Sequence, residues 1–240
     1  VFDVIYRALA PVVPKQVLAS SGAVPSWLHI FSGKRASGDK FFNVSIGGGG
    51  MGAGYGYDGH SPAHFPTNAS NIPAEIFESD TPLLVETREM ANDSGGAGMY
   101  RGGLGYREVY KVPTDKQAPQ GPVTAILYHC ARFEEEAPGL FGGKDGGKGG
   151  YTINSVPKDW GNAEFLKPGD TVVHIHGGGA GYGDPLDRDP ELVEKDVFNE
   201  YVSLEKARED YGVVIDPRTL KVDLKATQKL RASMKKARSG

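Results

Sequence analysis

The 240 residues carry a formal net charge of −3, with 39% hydrophobic and 24% charged residues, and they contain no apolar run near the ~20 residues that span a bilayer. That balance excludes a membrane-embedded chain and gives no global attraction to nucleic acid. Cys130 is the only cysteine, which rules out an internal disulfide or a thiolate zinc site made by this chain alone and makes the reducing cytoplasm the expected location.

"VFDVIYRAL" places apolar residues at 1, 2, 4, 5, 8 and 9, a helical spacing that Pro11 and Pro14 end. The chain opens on Val1 and runs straight into this helix, so it reads as a processed or truncated product. From Phe41 to His176 the pattern turns to short β-rich runs: "FFNVSI" (41–46), "LLVETREM" (83–90), "YREVYKV" (106–112), "VTAILY" (123–128), "YTINSV" (151–156) and "TVVHIH" (171–176). Gly, Pro, Asp and Asn clusters bound nearly all of them, which predicts antiparallel strands with elaborate connections. Beyond "GGGAGYGDP" the composition becomes charged and helical. Asp189 before Pro190 reads as an N-cap for "PELVEKDVFNEY", and Ser203 caps "LEKAREDY", which Gly212 stops. "GVVID" reads as a returning strand, and "DLKATQKLRASMKKARS" as a last basic helix with a solvated face. The expected fold is α+β: a glycine-rich, mainly antiparallel β core over 1–184, then a small helical C-terminal region over 185–240.

Glycine supplies 34 residues, about twice the usual share of ~7%, without a G-X-Y period. "GGKDGGKGG" (142–150) has Gly149 where a phosphate loop needs Ser or Thr, and a strand pattern follows instead of a helix, so a Walker A site is rejected. "GGGGMGAGYG" (47–56) likewise lacks the helix of a dinucleotide fingerprint. The clusters are expected to let loops crowd together, against the rest of a larger fold or against a partner subunit, where side chains obstruct contact.

Polar candidates fall in two stretches. In "DGHSPAHFPTNASNIPAE" (58–75), His60 and His64 have metal-like spacing, but Pro62 and Pro66 make the segment an irregular loop. Asp58, His60, His64, Asn68, Asn71 and Glu75 therefore read as pocket candidates, a polar wall able to position a substrate carbonyl, with loop hydrogen bonding as the plain alternative. In "DSGGAGMYRGG" (93–103), Asp93, Ser94 and Arg101 are substrate- or partner-facing candidates around an anion-binding nest; the structural alternative pairs Arg101 with Asp93. His174 and His176 alternate on one strand and are expected at the surface or facing a partner.

Taken in order, "GGGGMGAGYGYDG", "TNASNIPAEIFES", "DSGGAGMYRGGLG", "GLFGGKDGGKGG", "LKPGDTVVHIHGGGAGYGDPLDRDPELVEKDV" and "REDYGVVID" resemble the C-terminal half of the hydantoinase B / oxoprolinase family, from about Pro11 to Asp216. That family also includes acetone and acetophenone carboxylase large subunits. The resemblance implies an ATP-dependent amidohydrolase subunit opening a hydantoin or 5-oxoproline type ring beside a hydantoinase A-type partner that binds ATP and Mg. A ketone carboxylase subunit is the alternative, and a non-catalytic structural or assembly subunit is the alternative of another class. It further implies that family metal ligands lie upstream of Val1, so no metal is expected on this chain, which is expected to be inactive alone. No complete ligand set or nucleophile–base pair is evident in these residues.

Overall fold

In the segment Trp27–Lys34 successive side chains point to opposite faces, so Trp27, His29 and Phe31 turn inward and Leu28, Ile30 and Ser32 outward. The computed structural model describes residues 2–22, 27–66, 69–128 and 132–238, so Asn68 and Cys130 lie outside it. Among the described residues nine strands follow in chain order: β1 Trp27–Lys34, β2 Lys40–Gly47, β3 Leu84–Ala91, β4 Gly105–Lys111, β5 Val123–Tyr128, β6 Gly150–Ile153, β7 Val156–Pro157, β8 Ala163–Leu166 and β9 Thr171–His176. The α-helices are α1 Phe2–Leu9, α2 Ala74–Asp80, α3 Pro190–Phe198, α4 Leu204–Glu209 and α5 Leu224–Arg238.

Every ladder is antiparallel. One sheet runs β2-β1-β5-β8 and the other β3-β4-β9-β6-β7. Their inner faces share one core, in which Trp27 and Phe31 of β1 and Ala125 and Leu127 of β5 meet Tyr110 of β4, Tyr151 of β6 and Val172 of β9. The predicted α+β architecture is therefore present, with the antiparallel strands arranged as two facing sheets.

Several elements differ from the sequence reading. β1 and β8 lie in stretches to which the sequence assigned no element, and α2 begins inside the segment read as an irregular loop. "YTINSV" is a tight hairpin, because Asn154 and Ser155 both take positive φ (50° and 64°), the two-residue turn that suits strand twist. "GVVID" forms an isolated bridge, Ile215 to Val222, in place of a strand. The helix starts are as predicted: Asp189 accepts from Glu191 N–H at 2.9 Å, and Ser203 from Lys206 N–H at 3.1 Å. Val193, Val197, Val202, Ala207, Tyr211 and Val213 of this helical region form a second cluster that takes in Ala97 from the glycine segment.

β9 runs on into Gly177, and the next residues are bonded to several other segments. Gly178 and Gly181 donate to Gly147 and Lys144 carbonyls, Gly179 and Tyr182 to Gly103 and Tyr100, and Ala180 to Ser20, all within 2.8–3.0 Å. Partners thus recur every third residue, the repeat of an extended polyproline II-type helix, and neighbouring backbones satisfy the groups such a helix leaves open. Size is what these positions demand: a Cβ on Gly178 would lie 1.7 Å from the Ser94 carbonyl oxygen, and one on Gly103 2.0 Å from that of His60. The glycines expected to crowd against outside polypeptide are packed against this chain's own backbone.

Candidate functional site

The loop of pocket candidates comes apart in the structure. His64 hydrogen-bonds through Nε2 to Asn71 Oδ1, and its ring lies over Gly48, where a Cβ would come within 3.0 Å of it. Beside it a cavity of about 380 Å³ is lined by Met51, Ala63, His64, Phe65, Pro66 and Ala69. His60 is exposed and engages through its carbonyl, which accepts from Met51 N–H. Glu75 is exposed in the first turn of α2. Asp58 belongs to another structure altogether: both its oxygens accept from the Arg188 guanidinium at 2.7 Å, and Oδ1 also accepts the Arg101 N–H at 2.7 Å. Burial works to raise the Asp58 pKa, but these bonds and the arginine charges outweigh it and hold the carboxyl below its ordinary value.

Arg101 is 5% exposed and meets Asp196 of α3 at 3.3 Å, not Asp93, with its guanidinium over the Tyr201 ring. Arg188 also donates to Asp196 at 2.8 Å, which completes an arrangement of two arginines and two aspartates, buried except for half-buried Asp58, that ties the helical region to the glycine segment. Asp93 accepts from Ser203 N–H at 2.7 Å, and Ser94 Oγ accepts from Gly105 N–H at 2.8 Å, so both hold turns in place.

The two histidines expected at the surface are in the core. His174 is 2% and His176 0% exposed, because their parity on β9 points them between the sheets. There His174 Nδ1 lies 3.1 Å from His29 Nδ1 of β1, while His176 Nε2 lies 3.1 Å from Glu108 Oε2 of β4. Glu108 Oε2 is 3.6 Å from His29 Nδ1, and its Oε1 is 3.2 Å from Arg88 Nε of β3. Burial pushes the His29 and His174 pKa values well down, so both imidazoles are neutral. Burial also opposes ionisation of Glu108, but the His176 hydrogen bond first, then the neighbouring His29 and His176 rings and lastly the Arg88 charge hold its pKa at about 2.

His29, Glu108 and His174 bring three ligand atoms within 4.8 Å of one another. Neutral imidazoles and a carboxylate are donors a divalent transition metal accepts, and two of the three edges, 3.1 and 3.6 Å, bracket the ~3.3 Å edge of a tetrahedral site with ~2.0 Å bonds. Arg88 already neutralises Glu108, so the cluster is also charge-balanced without a cation. His29, Arg88 and Glu108 escaped the sequence reading; the available signal was a polar residue at inward parity, His29 between Trp27 and Phe31 and Glu108 between Tyr106 and Tyr110.

A family model described as hydantoinase B/oxoprolinase matches residues 1–185. The chain is 34% identical to an uncharacterized protein of Methanocaldococcus jannaschii, over 96% of this chain and 40% of that protein. It is 31% identical to the B component of a putative D-/L-hydantoinase from a Pseudomonas strain, over 96% of this chain and 38% of the relative. The solved structure of an ATP-dependent caprolactamase from Pseudomonas jessenii superposes with a TM-score of 0.79 at 28% identity, covering 94% of this chain and 40% of that one. The chain thus spans about two-fifths of the length of the relatives it matches.

Proposed function

Because this chain belongs to the hydantoinase B/oxoprolinase family, we propose that it is part of an ATP-dependent enzyme that hydrolyses a cyclic amide. The observation that carries the reading is the match to a caprolactamase structure over 94% of the chain, beside a hydantoinase relative of similar coverage. A ring amide is a poor electrophile; transfer of the ATP γ-phosphoryl group to its oxygen, with release of ADP, makes the carbon reactive enough for one water to add and expel the ring nitrogen, and a second water frees inorganic phosphate from the resulting acyl phosphate to leave the ring-opened acid. A hydantoinase A-type partner supplies the ATP and Mg site, and the polypeptide corresponding to the rest of the family fold supplies further reactive groups, including any metal ligands. On this reading the 240 residues are inactive alone.

Among the described residues, the cavity beside His64 is one part of the surface suited to a small ring. It pairs apolar walls from Phe65 and Pro66 with one imidazole held by Asn71, a polar group fixed for orientation in an apolar cleft. The test is turnover by the assembled enzyme with ATP, Mg and either hydantoin, 5-oxoproline or a lactam, with ADP and the ring-opened acid measured together. His64→Ala is expected to lower kcat/KM at least tenfold while leaving the fold intact. ATP consumption coupled to carboxylation of acetone or acetophenone with bicarbonate would move the chain to the carboxylase branch, and no turnover with any of these substrates would leave it an assembly subunit.

A further inference from the structure

The outward positions of the four-stranded sheet are mostly apolar across all four strands, with the charged Lys34–Lys40 row confined to the far end of β1 and β2. In register, Val44, Ile30, Ile126 and Ala163 form one row across β2, β1, β5 and β8. On one side lies the row Ile46, Leu28 and Tyr128, and on the other Phe42, Ser32, Thr124 and Phe165. None of these eleven residues is charged, and Phe42 and Phe165 are 71% and 65% exposed. The other sheet has apolar Val109, Val173 and Ile175 on its outward side, but charge covers its β3–β4 edge. Its outward Arg107 and Lys111 on β4 pair with Glu89 and Glu86 of β3, the ordinary polar cover of a wet face.

A strand with apolar residues on both faces belongs to a sheet covered on both sides. At strand spacings of ~4.8 Å and ~6.8 Å between successive outward rows, the patch with its side-chain margins measures roughly 20 by 20 Å, the size at which exposed apolar surface marks an interaction site. The chain's share of its relatives identifies the occupant: the family fold continues for about one and a half times this chain's length beyond it, since the matched caprolactamase chain is only 40% covered. We infer that this face is the seam on which the remaining part of the family fold packs, through an apolar surface of its own. The glycine segments, bonded among themselves, are not that seam. The inference rests on the family membership underlying the proposed function and is independent of which reaction the enzyme performs.

The test is site-specific photo-crosslinking in the purified, assembled enzyme, with Phe42→p-benzoylphenylalanine and Phe165→p-benzoylphenylalanine. Both side chains are exposed in this chain, so the probe fits without repacking its core. The expected result is a crosslinked peptide, from each position, that maps by mass spectrometry to family sequence outside these 240 residues. Crosslinks to a second copy of the same sheet would replace the inference with self-association, and efficient irradiation without any crosslink would overturn it by leaving the face in water. Activity is read on the same preparation: crosslinks without ATP-dependent turnover sink the reaction and leave the seam, whereas turnover without crosslinks sinks the seam alone.

Discussion

His29 and His174 sit neutral between two sheets, and that fixes how stability responds to acid. In the unfolded chain each imidazole titrates near the ordinary value of 6.5, whereas in the fold both are pushed well below it. Below pH 6.5 the unfolded state therefore binds protons that the folded state refuses, and stability falls with pH. Each histidine contributes a slope of up to about 1.4 kcal/mol per pH unit. Glu108 adds to the loss lower down: its stabilising charge is fully present above the ordinary carboxylate range and disappears as pH falls through about 2. Urea denaturation at pH 7.5, 6 and 5 should show a steepening loss, and His174→Phe should flatten that profile even if it lowers stability at pH 7.5. An unchanged midpoint from 7.5 to 5 would contradict the buried neutral pair.

At the level of elements, the glycine segments behave as one packed unit in which backbone fills the place of side chains. Gly103→Val forces carbons into the His60 carbonyl and is expected to cost more than about 3 kcal/mol or to abolish soluble expression. Gly150→Ala is the matched comparison, since its nearest neighbour is an ordinary 3.9 Å contact with Ile175; it should change stability by less than about 1 kcal/mol. Equal effects in thermal melts would remove close packing as the reason for these glycines. The strands β2 to β5 and β9 and the capped helices α3 and α4 were legible because periodicity and caps are local. β1 was missed although "WLHIFSGK" is strongly β-forming: apolar residues on both its faces erase the alternation that marks a half-buried strand.

For the molecule as a whole, Arg188 is the bolt between the helical region and the glycine segments, linking Asp58 and Asp196 across 130 and 8 residues of sequence. Removing it leaves two carboxylates facing each other with Arg101 as their remaining cation. Arg188→Ala is expected to destabilise by about 3–5 kcal/mol and to expose α3, α4 and α5 to proteolysis before the sheets. Arg238→Ala, at an exposed pair with Asp184, should cost less than about 1 kcal/mol. Loss of both regions in a single step for Arg188→Ala would show that they do not separate along this contact.

The order of glycine, turn and cap motifs along the chain was sufficient to assign the family and the α+β class, because these features are short-range and each is written in a few adjacent residues. Which polar side chains meet was decided only in three dimensions. His29, Glu108 and His174 are brought together by the packing of two sheets, and Asp58 is drawn away from His60 by an arginine 130 residues further on. Parity on a strand tells which face a residue occupies; the partner across that face depends on register and on sheet packing, and neither is encoded locally.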